Sequence, residues 1–538
     1  MKAPLLTLNT TVPLPLAIWL LVLVDCLYHH FIHELSWFQS FPLALVEGGV
    51  CGAILWMTTR LDLARVSICY LALPYVFFIP GWLNTPTAIL LSVIFIYSLW
   101  RTLRNTHSVR ENSITVHSLA AFLAILLWVN LSGAGGYGFQ ISDWMMHNAR
   151  LHDLTQLAWP VRYGEDQNLV YYVGYFLPAA IVGKLTSLDL GIRSLFPWTV
   201  LGVVLAIRWL SVLSQWRMTV VLVLVFALFG PLDLLNVLFM NLSSPTTLEN
   251  DLSTLMVNTD FLDFRLWHSL GFFIGNYLSN TFQLYWSPQQ VISGWLGMGL
   301  LTYLFFKGQL RSLLFVYALL CLWAPFAMIA LLPFIIFAVI RQLRSQWQLL
   351  LTFENGVGAA ALAIVFVTFY TSGSTSANLA FWIFSKLHGP GYLTLLIFYL
   401  FAWGLYAITI SPVIRQEERI EKLWFLCLLF SLLTLPLYVF GDYADLLCRG
   451  SAPLMFLLLV FLLRALQHYW EQQRLVLAGL LICLLLIGTG SALLQNRTAL
   501  TTYGKTQPVR SIIDYHNAFP NLGPDHSPFE RWFRKKLP

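Results

Sequence analysis

The sequence predicts an all-α polytopic membrane protein that crosses a bilayer about 15 times (range 12–15), with helices that lie against the outer surface between some of the crossings. Three observations carry this. Hydrophobic residues make up 58% of the 538 positions and charged residues only 10%. Mean hydropathy is +0.71, far above soluble domains. Apolar runs near the ~20 residues that span a bilayer recur at regular spacing, and helices are the economical form because backbone groups in lipid must bond one another.

The first segment runs from about Val12 to Leu27, and Met1 to Val24 reads as a retained signal anchor with no small-residue cleavage site. The second spans about Phe41 to Met57, the third Val66 to Ile79 and the fourth Thr87 to Trp100. RTLRNTHSVREN follows, the most basic short loop, with Arg101, Arg104 and Arg110. Short basic loops mark the cytoplasmic side, which puts the N-terminus inside and places the loop after the fifth segment, Leu119 to Val129, outside. If Leu169–Val182 also crossed, later basic links would fall on the wrong side, so it is expected to lie in the interface. The sixth crossing is then about Leu195 to Leu213, and the seventh ends at Gly230-Pro231. Leu313–Ile340, interrupted at Pro325, is expected to be a tight helical hairpin, which leaves the C-terminus outside.

Four regions result: an N-terminal four-helix region 1–112, a core 113–340 with outer loops 131–194 and 231–290, C-terminal helices 341–494, and a tail 495–538 too short for its own core. Of seven cysteines, only Cys448 lies near a loop, and no CxxC spacing points to a disulfide or metal cluster. The absence of a Walker motif and of a strand-bound GxGxxG argues against nucleotide hydrolysis. The expected surroundings are lipid, with no nucleic acid as partner.

The outer loops carry the polar chemistry. Four glycines at 133, 135, 136 and 138 open a loop that holds Asp143, His147, Asn148, Arg150, His152 and Asp153 within eleven positions. Such density beside a membrane is costly unless it meets a substrate or partner. In SDWMMHNARLHD, a helix would align Asp143, His147 and Arg150 on one face. A carboxylate beside an imidazole can deprotonate a hydroxyl. It can also hold a divalent cation, Mg²⁺ or Mn²⁺, with Asp143 and His147 as ligands against phosphate oxygens, although no cofactor is demanded. A solvated polar stripe on an interfacial helix is the plainer reading.

A second constellation, NYLSNTFQLYWSPQQ at 276–290, follows Arg265 and His268 and includes Trp286 and Gln289. Aromatic faces and amides suit sugars; an aromatic belt accounts for the pattern equally well. The third, GDYADLLCRGSAP, brings Asp442, Asp445 and Arg449 to an outer boundary. Arg449 has the planar donor fork that grips phosphate, and an i,i+4 pair with Asp445 is the alternative. Asp25, His29 and His33 share a face and could bind zinc, but an interfacial role, or mutual satisfaction of Asp25 and Glu47 between helices, is favoured. Gly48 and Gly52 signal close helix packing.

An apolar helix emptying into a large outer loop with an acid near its start, then YYVGYFLPAAIVGKLTSLDLGIR and a helical hairpin, resembles the GT-C superfamily of integral membrane glycosyltransferases. The similarity covers roughly Leu119 to Met240. It implies transfer of a sugar from a polyprenyl-phosphate carrier to a glycan, lipid or protein acceptor on the outer face, in a cell-envelope setting such as a bacterial plasma membrane. By the resemblance, Asp143 matches the loop-one acid that acts as base or orients the acceptor, and Arg449 or Arg265 would meet the carrier phosphate. Two departures stand out: four helices precede the usual start, and Asp143 and Asp153 are ten positions apart where the family has adjacent acids. A transporter or flippase of a lipid-linked or sugar substrate, and a non-catalytic assembly subunit of the same fold, are the competing readings.

Overall fold

The structure is a computed structural model that describes residues 11–32, 34, 36–106, 109, 114–164, 167–232, 235, 275–373, 380–389, 391–441, 444–515, 522–524 and 527–535. The protein is an all-α polytopic membrane protein. Among the described residues, ten helices are long and apolar enough to cross a membrane, and Val116–Leu131 and Glu354–Tyr370 are shorter apolar helices.

The helices that position the site are α1 (Leu14–Ile32), α2 (Trp37–Arg60), α3 (Leu63–Trp82), α4 (Thr85–Asn105), α5 (Val116–Leu131), α6 (Trp144–Gln156), α7 (Leu177–Leu185), α8 (Leu188–Ser214) and α9 (Val220–Leu228). Further along come α10 (Asn280–Trp286), within the expected second outer loop, α11 (Pro288–Phe306), α12 (Leu313–Ala318) and α13 (Pro325–Ser345). Further on, α14 (Asp445–Glu471) is the central helix: 94% of its apolar window is buried, against 22% for α4, which faces outward. Polar N-caps start several of them, as where Asp62 accepts from the Arg65 amide at 2.9 Å and Asn84 from that of Thr87 at 3.1 Å.

Contacts between loops divide the bundle into two ends. At one end the Asp62 carboxylate also accepts from the Val109 amide at 2.8 Å, Val12 bonds Ile114 and Arg101 pairs with Glu354 at 3.0 Å. Arg464 joins Glu417 and Glu421 at the same end through the layer of Phe305, Arg341 and Trp424. At the other end the C-terminal tail folds back over the first outer loop. Lys505 accepts from the Gln140 amide at 2.9 Å, Leu522–Pro524 pairs antiparallel with Gln167–Leu169, and Phe533 accepts from the Asn84 amide between α3 and α4.

Two expectations on connectivity can be compared with these elements. Leu169–Val182 runs into α7, which is nine residues and about 14 Å long, too short to cross a bilayer. Lys184 ties it to α6 by bonds to the carbonyls of Thr155 (3.1 Å) and Leu157 (2.6 Å). The Leu313–Ile340 run does break at Pro325, but unevenly: its first arm is the six-residue α12 followed by turns, its second the 21-residue α13. Pro325 opens α13 because its missing amide hydrogen is no loss in a first turn.

Candidate functional site

Helix α6 is fastened to the 276–290 segment through side chains that bond backbone carbonyls. Trp144 Nε1 donates to Tyr285 O at 2.9 Å, and His147 Nε2 bonds Trp286 O at the same distance. A carbonyl only accepts, so Nε2 carries the proton and Nδ1 is left to accept from Arg150 Nη1 at 3.1 Å. His147 is 2% exposed. Burial, helped by the charge of Arg150 and then of Arg449, pushes its pKa down to about 3, so it is a neutral ring.

From Arg150 the contacts run on to the third segment. The Arg150 guanidinium lies 3.7 Å from the centre of the Tyr171 ring, a cation–π contact. The neighbouring Tyr172 hydroxyl accepts from Gln290 Nε2 at 2.7 Å and from Arg449 Nη1 at 3.1 Å. Burial raises the pKa of that phenol well above the ordinary value, so it stays protonated and keeps its own hydrogen to donate. Arg449 Nε pairs with Asp445 at 2.8 Å, and Asp143 is near enough for its charge to act on the same guanidinium.

Backbone geometry explains the approach of segments two and three. Gly275 has φ 85°, and a Cβ there would stand 2.6 Å from the Cβ of Ala444, one residue before α14. A side chain at 275 would push the amide-rich segment off that helix. The segment is also short of partners. Asn276 Nδ2, Gln283 Oε1, Trp286 Nε1, both side-chain polar atoms of Gln289 and Gln290 Oε1 are buried with no hydrogen-bond partner among the described residues. Buried polar groups are normally satisfied, so these atoms stand out as lacking a partner among the described residues.

The structure thus brings together Asp143, His147, Arg150, Trp286, Gln289, Asp445 and Arg449. It turns three other sequence-singled residues elsewhere. Asn148 donates to Gln140 at 2.9 Å and to the Gln507 carbonyl at 3.1 Å, on the tail side of α6. Asp153 is fully buried and accepts from Tyr163 (2.7 Å), Ser511 (3.1 Å) and the Ile512 amide (2.9 Å), while His152 bonds its other oxygen at 2.8 Å. Asp153 therefore holds the tail in place, which corrects the expectation that it contacts substrate, and His152 braces Asp153 from the other side. Arg265, His268 and Asp442 lie outside the described residues. His33 lies outside them too.

Two expectations about His147 also change. Both ring nitrogens are engaged, one by a carbonyl and one by a guanidinium, so service as a base or as a cation ligand would require breaking one of those bonds. A Mg²⁺ or Mn²⁺ ion held by Asp143 and His147 does not fit this arrangement, because Arg150 occupies the only lone pair. Residue-type reasoning passed over Tyr171, Tyr172 and Gln290. The Tyr-Tyr pair closing a polar loop was the available mark.

Compared with family models, with characterised proteins and with solved structures, the chain matches none.

Proposed function

We propose that the protein is a membrane glycosyltransferase that moves a sugar from a polyprenyl-phosphate carrier to an acceptor hydroxyl on the extracytoplasmic face of a cell-envelope membrane. The observation that carries this reading is Arg449: it is held by Asp445 and Tyr172 and sits within electrostatic reach of Asp143 and His147. Arg449, within electrostatic reach of the half-buried Asp143, and Arg150, held by His147 on the same helix, supply what phosphate-linked sugar transfer needs. Asp143 accepts the proton of the acceptor hydroxyl as its oxygen bonds the anomeric carbon. The bond from that carbon to the phosphate oxygen breaks, and the electron pair leaves on the phosphate, where Arg449 and Arg150 stabilise it. His147 holds Arg150, and the unpaired oxygens of Gln283 and Gln290 and the Gln289 amide are the groups that would meet sugar hydroxyls.

In this reading the chain passes the membrane about 15 times, with the basic links inside and α7 in the outer interface. A transporter is the second reading, favoured by the placement of Asp25 and Glu47 within α1 and α2.

The test reconstitutes the full chain in proteoliposomes with polyprenyl-phosphate-linked labelled sugars and a panel of glycan, lipid and peptide acceptors. Acceptor labelling that is lost in Asp143→Asn supports the transferase. Vectorial movement of the carrier-linked sugar with no labelled acceptor supports the transporter and removes the transferase.

A further inference from the structure

Away from this site, α1 and α2 hold a second cluster. His29 Nε2 lies 3.1 Å from Glu47 Oε2 and 3.7 Å from Asp25 Oδ2, and one ligand-type atom from each residue lies within 4.8 Å of the other two. The two helices approach closely enough for this because of Gly48, where a Cβ would stand 2.8 Å from the Val22 Cα, and Gly52, where one would stand 2.6 Å from Ile18. We propose that Asp25, His29 and Glu47 form a binding site for a divalent transition-metal ion of the zinc type.

The spacing fits a shared ion. Two ligand atoms each ~2.1 Å from a tetrahedral metal are about 3.4 Å apart, and the observed 3.1 and 3.7 Å bracket that value. One nitrogen and two carboxylate oxygens are a borderline donor set that suits zinc. Charge points the same way. Two carboxylates share this niche with one imidazole, and Arg193, whose charge reaches Glu47, divides it with Asp189 at 2.9 Å, so a divalent ion would complete the neutralisation. An independent sign of a missing partner is Asp25 Oδ2, which is buried and has no hydrogen bond among the described residues. An outer partner is in place as well: the Tyr137 hydroxyl donates to the other Glu47 oxygen at 2.8 Å, the kind of contact that fixes a ligating carboxylate.

There is also a way in and a free position. Asp25 and Glu47 line a mostly apolar cavity of about 650 Å³ that also includes Tyr28 and Tyr503. His29 borders a neighbouring cavity of about 450 Å³ shared with Asn148 and Arg193. Three protein ligands leave a fourth position for water or for the polar head of a molecule in the larger cavity. This site is separate from the sugar-transfer reading and stands or falls without it.

The test uses the purified full chain in detergent, stripped with chelator and titrated with Co²⁺ as a spectroscopic probe, then with Zn²⁺ in competition. Expected are about one equivalent of ion per chain and the visible ligand-field bands of four-coordinate cobalt. His29→Gln and Glu47→Gln weaken binding at least ~100-fold and Tyr137→Phe about 10-fold, while His117→Gln, exposed at the start of α5, changes nothing. Size-exclusion profiles of each variant show that it is folded, and Asp25→Asn replaces any that is not. Folded wild-type protein with no stoichiometric uptake overturns the proposal, as does uptake that His29→Gln and Glu47→Gln leave intact.

Discussion

His147 donates through Nε2 to the carbonyl of Trp286 at 2.9 Å, which fixes the tautomer of its ring and turns Nδ1 toward Arg150. One imidazole thereby couples the first outer loop to the amide-rich segment and sets the direction of a guanidinium. In the proposed reaction its part is positioning, and the proton chemistry is assigned to Asp143.

Replacement of Asp143 by Asn keeps its size and removes its basicity. Sugar transfer should fall at least ~100-fold, in the range that general-base groups contribute. Membrane insertion, followed by protease protection of tagged loops, should be unchanged. Transfer at the wild-type rate in this variant would take the base role away from Asp143.

Arg449→Lys preserves charge and loses the planar fork that meets Asp445 and Tyr172 together. The reading expects a loss of ~10-fold or more in kcat/KM for the carrier substrate, with a larger loss for Arg449→Ala. Tyr172→Phe removes one bond to the guanidinium and should cost less than either, measured in the same assay.

The pH dependence of stability follows from His147. Its folded pKa of about 3 lies below the usual histidine value, so between the two the unfolded chain binds more protons than the folded one. The stabilisation is complete above about pH 6.5 and is lost as pH falls towards 3. His147→Gln, which can still donate to Trp286 O, should flatten the acid side of a Tm-against-pH curve, by a few kcal/mol at most across the window. Parallel curves for the two proteins would count against a buried neutral ring.

Asp153 has four partners, three of them donors from Tyr163, Ser511 and Ile512. Asp153→Ala should destabilise by about 3 kcal/mol because it strands buried donors. Limited proteolysis should then cut between 505 and 515 where the wild type resists.

Much of this was legible in the sequence, because hydrophobic runs and basic links are local signals. All five of the first segments appear as helices, each a few residues longer than its apolar run, since polar caps such as Asp62 and Asn84 extend a helix past its lipid-matched part. The meeting of the three polar segments could be argued only as shared sidedness. The bonds that join them, Tyr172 to Arg449 and His147 to Trp286, link positions far apart in the chain and leave no local trace. Asp153 misled for the same reason. A buried acid in a polar loop looks like chemistry until a tail some 360 positions later is seen to bond it. Glu47 and His29 are likewise joined only because two glycines let their helices touch.

The strap formed by residues 505–515, 522–524 and 527–535 has a consequence for biogenesis. Its bonds to Gln140, Asp153 and the α3–α4 connection all reach back to parts of the chain made hundreds of residues earlier. A nascent chain that has threaded every earlier helix still has an unclasped outer loop, so the enzyme proposed here would remain silent until these later residues have also emerged and docked.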